Sequence, residues 1–310
     1  MASETPVLLL GYNRPNQMRG LIQSLAPLKP KLILFSIDGP KKSRPSDVEL
    51  VRQTQELVGE ITWDAEIRTR LRDSNLGLRR AVVDAVTWAN SEYGQVIVLE
   101  DDVRAGPQLL DFLNQCLVTF RENSKIAHIS GYNLVPAEYI THPDSPFRLS
   151  IYPESYAWAT WDRAWQAYDD DLTWAQNASL EEVKSICGST LGALRWKQNF
   201  ADASAERIDT WAYRWLASLW ERKWLMISPN RNISTYQGWI EGTHTLRLAN
   251  SEEQVIETLP ALNLEYLKPQ LDPIADKWLG QGIFKESFIG LVEGLFFARL
   301  RKLIYYLSRN

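Results

Sequence analysis

The stretch Val96-Ile97-Val98-Leu99-Glu100-Asp101-Asp102-Val103 constrains this chain more than any other. An apolar run, mostly β-branched, ends without transition in three acids. A run that is apolar on both faces reads as a strand buried in a parallel sheet. The acids then fall at the strand's carboxyl end, the edge on which open α/β sheets bind ligands. Three adjacent carboxylates repel one another and hold together there only with a positive partner. A divalent cation carrying a phosphorylated substrate supplies it, because hard cations take oxygen ligands. A solvated acidic turn is the plain alternative.

The residues around this stretch repeat a strand–helix alternation. Pro6 to Tyr12, Leu32 to Ile37, Glu66 to Leu71, Val96 to Leu99 and Ile126 to Ser130 read as strands. Pro15 to Leu25, Ser46 to Val58, Leu78 to Ala89 and Pro107 to Phe120 read as helices between them. That order predicts an α/β fold with a mostly parallel, Rossmann-like sheet covered on both faces. After Gly131 the pattern changes. Val135 to Phe147 reads as a loop, and Ser155 to Tyr168 as aromatic and partly helical. Ser179 with Glu182 makes a capping box for a helix running to Gly188. A second helix spans about Asp209 to Lys223, with short strand-like pieces at Met226 to Ser228 and Asn232 to Tyr236. Thr258 to Pro273 contains three prolines and reads as a linker. The division is 1–131, 132–257 as a second half of the same domain, and 258–310 as linker and helical tail.

At 310 residues and a net charge of −4, the chain gives no whole-chain basis for nucleic-acid binding. Its two cysteines, Cys116 and Cys187, form no pair at metal spacing and read as thiols of a reducing compartment. The N-terminus has no signal-peptide pattern and no run is long and apolar enough to span a bilayer, so a cytoplasmic protein is expected. The 13 tryptophans, mostly between Trp158 and Trp239, are unusual. Trp is a core residue whose flat face also suits sugar rings.

The candidate chemistry of the first half lies just after the strands. Asn13 and Arg14 follow the first, Asp38 the second, Asn75, Arg79 and Arg80 the third, and Glu100, Asp101 and Asp102 the fourth. In a parallel sheet these groups converge. Asp38-Gly39 and Asn75-Leu76-Gly77 are also ordinary turn signals. Together the groups make a nucleoside diphosphate site. Arg14 and one of Arg79 or Arg80 meet phosphate, Asp38 accepts from base or ribose, and the triplet holds a metal. In the second half Asp209 is either a helix N-cap or a base. His244, in the glycine-punctuated loop Gly238 to Thr245, is a candidate nitrogen ligand to the metal. Trp158, Trp161 and Trp211 either stack on sugar or pack in the core.

The order Tyr12-Asn13-Arg14-Pro15, Ile37-Asp38-Gly39, Asn75-Leu76-Gly77 and Leu99-Glu100-Asp101-Asp102-Val103 resembles the nucleotide-sugar domain of GT-A glycosyltransferases. Within them it resembles the inverting N-acetylglucosaminyltransferase I family and its bacterial relatives, over about residues 6–245. Ser155 to Trp165 is similar to that family's segment before the acceptor site, and Asp209-Thr210-Trp211 to its base motif. Ile208 and Thr210 stand where the family has Trp and an acid. The resemblance implies a transferase that moves a hexosyl or N-acetylhexosaminyl group from a nucleoside diphosphate sugar, UDP-sugar favoured, to a glycan or lipid-linked hydroxyl, as in polysaccharide biosynthesis. It implies Mn²⁺ or Mg²⁺ on Asp102, with Glu100 and Asp101 near sugar or ribose, and Asp209 as base. A sugar-phosphate nucleotidyltransferase and a catalytically silent sugar- or nucleotide-binding protein on this fold are the alternatives. The nucleotidyltransferase would need a glycine-rich basic loop after the first strand, which Gly11-Tyr12-Asn13-Arg14-Pro15 does not supply.

From Phe296 the chain reads as an amphipathic helix. Phe296, Leu300, Leu303, Ile304 and Leu307 share one face, while Arg299, Arg301, Lys302 and Arg309 lie on the other side. With Phe284, Phe288, Tyr305 and Tyr306 it fits either packing on the domain or contact with an anionic membrane surface, on the inner face of a membrane.

Overall fold

The computed structural model describes residues 5–237, 255–260 and 270–294. Strands β1 (Val7–Gly11), β2 (Leu32–Ile37), β3 (Glu66–Leu71) and β4 (Gln95–Glu100) run parallel in the order β3-β2-β1-β4. Helices α1 (Pro15–Leu25), α2 (Ser46–Glu56) and α3 (Leu78–Tyr93) connect them. Then come β5 (Val103–Ala105), α4 (Leu109–Thr119), β6 (Ile126–Ser130), β7 (Phe147–Ser150) and β8 (Ala157–Trp161). Five helices follow: α5 (Asp162–Trp165), α6 (Thr173–Asn177), α7 (Leu180–Cys187), α8 (Thr190–Ser204) and α9 (Ala212–Glu221). Strands β9 (Leu225–Pro229) and β10 (Ser234–Tyr236) and helix α10 (Pro273–Trp278) complete the described elements that position the site. The central sheet has the order β3-β2-β1-β4-β8-β6-β9-β7, and β10 pairs with β5 in a separate two-stranded sheet. The fold is α/β with a large, mostly parallel, Rossmann-like sheet and C-terminal helices. No described helix is long and apolar enough to cross a membrane.

The sheet is covered on both faces, as its apolar runs require. Along β1, Val7 and Leu9 join the core under α1, α2 and α4, while Leu8 and Leu10 join the core on the α3 side. β3, at the sheet's edge, is largely exposed and carries Arg68 and Arg70, which discourages pairing with another chain.

The second half departs from expectation in several places. Of Ser155 to Tyr168, expected to be partly helical, Asp162–Trp165 is helix α5, but Ala157–Trp161 is β8, antiparallel to both β4 and β6. Ala157, Ala159 and Trp161 enter one core and Trp158 the other, a period of two disguised by alanine's helix propensity. Phe147, expected to end a loop, opens strand β7. Helix α8 was not anticipated; Ser189 caps it by accepting from the Gly192 N–H. The capping box of Ser179 and Glu182 is present on α7. Helix α9 begins at Ala212, so Asp209 lies outside it and does not cap it.

At the end of the expected linker, residues 270–273 dock on the body. Leu271 bridges Leu149, and Asp272 caps α10 while accepting from the Thr141 N–H and hydroxyl, both at 2.7 Å. Asp276 accepts from the Ser150 hydroxyl and the Ile151 N–H. Glu286 accepts from the Trp196 indole N–H at 2.7 Å and from the Tyr152 hydroxyl. His244 with its loop, and the helix expected from Phe296, lie outside the described residues.

Candidate active site at the carboxyl edge of the sheet

β1 and β4 are neighbours and parallel, so the segments after them meet. Arg14, just past β1, reaches the acids that end β4. Its Nε donates to Asp101 Oδ2 at 3.1 Å, and its Nη2 donates to Asp101 Oδ1 and, at 3.0 Å, to Asp102 Oδ2. Asp101 and Asp102 are 2% and 3% exposed. Burial raises the pKa of all three acids above the ordinary range. Arg14 opposes this at Asp101 and Asp102, while for Glu100 the two neighbouring carboxylates add to it. Arg104 gives little relief, since its Nη1 donates to the carbonyls of Asp101 and Val103 and its Nη2 to Gln17. Asp102 Oδ1 is buried with no hydrogen-bond partner.

That orphaned oxygen is a test of the expected metal. A buried carboxylate oxygen in a group short of positive charge suits Mn²⁺ or Mg²⁺. Among the described residues no group of three or more His, Cys, Asp or Glu side chains is placed to hold a metal. The fit is therefore to a cation that binds through one carboxylate and completes its shell with substrate phosphates and water.

Two tyrosines that the sequence reading passed over stand beside the triplet. Tyr156 and Tyr236 have ring centroids 4.3 Å apart, and the Gln237 N–H donates to the Asp102 carbonyl at 2.7 Å. Burial, and for Tyr236 then the charges of Asp102 and Glu100, push both phenols well above their usual range. Tyr236 is brought there by the pairing of β10 with β5, the strand that follows the acids, and Tyr156 by the pairing of β8 with β4; no local pattern announces either.

Asp38 and Asn13 do other work than expected. Asp38 Oδ1 accepts from the N–H groups of Gly39 and Leu76, both at 2.9 Å. Its Oδ2 accepts from Asn75 Nδ2 at 2.8 Å and the Gly77 N–H at 3.2 Å. With its acceptor positions filled by the protein, Asp38 anchors the turn after β3 in place of contacting base or ribose. Asn75 also donates to the Gly39 carbonyl at 2.9 Å. Asn13 and Tyr12 both donate to Asp47 at the start of α2, which ties the β1 loop to that helix.

Gly77 has φ +84°, a conformation that L side chains rarely adopt, and it starts α3. A Cβ there would lie 3.5 Å from Asp209 Oδ2, so the anchored turn abuts Asp209. Arg79, in the first turn of α3, is turned away from the triplet's role and grips three acids. It donates to Asp209 Oδ1 at 3.3 Å, to Glu206 Oε1 at 3.2 Å and to Asp170. Its own side chain is 10% exposed, while that of Asp209 is 59% exposed. A cleft of about 260 Å³ opens here, lined by Leu76, Arg79, Arg80, Glu206, Ile208, Asp209 and Arg214. Asp170 was missed; the acid run Asp169-Asp170-Asp171 was its only signal.

The tryptophans expected to stack on sugar are core residues. Trp158, Trp161 and Trp211 are 0%, 3% and 4% exposed. Trp158 stacks between His128 and Trp211 at centroid distances of 5.2 and 5.1 Å, and Trp161 donates to the Leu117 carbonyl. Fully buried faces leave no room for a sugar ring.

No family model and no curated protein matches this chain. Among solved structures it is similar to a mannose-1-phosphate geranyltransferase from Thermus thermophilus, at 12% identity and a TM-score of 0.34 over 75% of this chain and 76% of that one. A likeness of that degree does not bear on the chemistry of the site.

Proposed function

We propose that this protein is a metal-assisted, inverting glycosyltransferase of the GT-A kind. It would move a sugar from a nucleoside diphosphate sugar, a UDP-sugar foremost, to a hydroxyl of a glycan or lipid-linked acceptor. The observation that carries the reading is the buried triplet at the carboxyl edge, gripped by Arg14 and left with an unpartnered Asp102 oxygen.

Asp102 would hold Mn²⁺ or Mg²⁺, which supplies Lewis-acid stabilisation of the leaving diphosphate. Arg14, fixed by Asp101, adds a second positive group beside the same edge. Asp38 holds the Asn75–Gly77 turn, which abuts Asp209. Asp209, exposed in the cleft, takes the proton of the acceptor hydroxyl as that oxygen bonds to the anomeric carbon. The bond from that carbon to the diphosphate oxygen breaks on the opposite side, and the nucleoside diphosphate leaves with the electron pair. Arg79 orients Asp209 and keeps Glu206 and Asp170 from repelling it, a positioning role in place of the expected phosphate contact. Arg80, exposed at the rim, remains available to a phosphate or an anionic acceptor.

The reading is tested by release of nucleoside diphosphate from a panel of nucleoside diphosphate sugars with Mn²⁺. Turnover of at least one donor is expected, and Asp209→Asn should slow it by about 10²–10⁴ while donor affinity persists. Silence across the panel, or full turnover in the variant, contradicts it.

A further inference from the structure

Residues 288–294 are helical and present their faces the wrong way round for a helix that packs by its apolar side. The small residues face inward. Gly290 and Gly294 are buried, and a Cβ on Gly294 would run into Arg195 and Gln198 of α8. Three of the four large apolar residues face outward, with Phe288, Ile289 and Val292 exposed by 69%, 70% and 50%, while Leu291 is half-buried. On α8, the helix they lie against, Leu191 and Leu194 are each 41% exposed. Scattered apolar residues on a surface are ordinary, but three large ones on one face of a short helix mark a contact.

The sequence that follows says what covers it. After Glu293 there is no acid, while Arg299, Arg301, Lys302 and Arg309 alternate with Phe296, Phe297, Leu300, Leu303, Ile304, Tyr305, Tyr306 and Leu307. The whole chain carries a net charge of −4, so the basic character is concentrated at this end. A second copy of the chain would bring the same positive charge against itself. Apolar and basic residues together, without acids, match the headgroup boundary of an anionic bilayer.

We infer that the apolar face of residues 288–294 docks this protein on an anionic lipid bilayer, the surface that the basic sequence after it matches in charge. The inference does not depend on the transferase reading, and its test reads no turnover. The full-length chain is sedimented with vesicles of phosphatidylcholine alone and of phosphatidylcholine with phosphatidylglycerol. Binding to the anionic vesicles only, falling with salt, is expected. Phe288→Ser/Ile289→Ser/Val292→Ser removes exposed side chains alone and should weaken partitioning by about a hundredfold or more. Arg299→Gln/Arg301→Gln/Lys302→Gln should weaken it by more than about tenfold, each charge contributing several-fold. Two results overturn the inference. One is equal binding to both vesicle types, or to anionic vesicles by the wild type and both variants. The other is lipid-independent self-association of the wild type that the Ser variant abolishes, which would make the face an interface between copies.

Discussion

The acids at the carboxyl edge and the tryptophans of α8 and α9 are both buried, yet for opposite reasons. At the edge, Asp101 and Asp102 are closed off around Arg14 and still leave one carboxylate oxygen unpartnered. In the aromatic layer Trp158 Nε1 and His128 Nε2 are unpartnered as well, but these are neutral groups, and other indoles are satisfied. Trp196 donates to Glu286, Trp215 to His128 and Trp220 to the Ile151 carbonyl. A buried charge cannot be satisfied by packing, so an acid cluster closed to water needs a positive partner. A buried indole can be satisfied by packing, so a Trp-rich segment reports a core before it reports a sugar site.

The contrast breaks first at Trp158. If it is core, Trp158→Ala should cost about 4 kcal/mol in urea unfolding, while Trp158→Phe leaves the acceptor KM unchanged. A raised KM with undiminished stability would return Trp158 to the binding site. The next largest effect is expected at Arg14. Arg14→Met leaves buried carboxylates without their cation and should destabilise the fold by about 3 kcal/mol. Added Mn²⁺ should recover part of that, since a ligand of the native state stabilises it. Unchanged stability in this variant would mean that the triplet is simply solvated.

The smallest effect, absent at neutral pH, sits on His128. Burial pushes this imidazole down to about 3 from an ordinary 6.5. Between those values the unfolded chain binds a proton that the folded chain refuses, so stability should fall as pH drops from about 6.5 towards 3. His128→Gln, which can still accept from Trp215, should flatten that part of the pH profile. An unchanged profile would place the acid sensitivity elsewhere.

The first four strands were legible because apolar runs with abrupt polar ends have one good solution, a sheet covered on both faces. Their ends brought Arg14 to the triplet and Asp38 to Asn75. The partners were less legible than the positions. Arg79 reads the same in sequence whether it meets a phosphate or Asp209, because pairing depends on how α3 packs against the segment before α9. Asp38 reads the same whether it binds a ribose or a turn. Ala157–Trp161 was misread because alternating Ala and Trp satisfy a helix as well as a strand until β4 and β6 are in place on either side.

The most direct measurement is calorimetric titration of nucleoside diphosphate into the wild type and Asp102→Asn, each with and without Mn²⁺. Mn²⁺ should tighten wild-type binding by about tenfold or more, a gain of at least about 1.4 kcal/mol, and should have no effect in the Asn variant. Nucleoside diphosphate binding that is the same in both proteins and indifferent to the metal would contradict a metal-assisted donor site at Asp102.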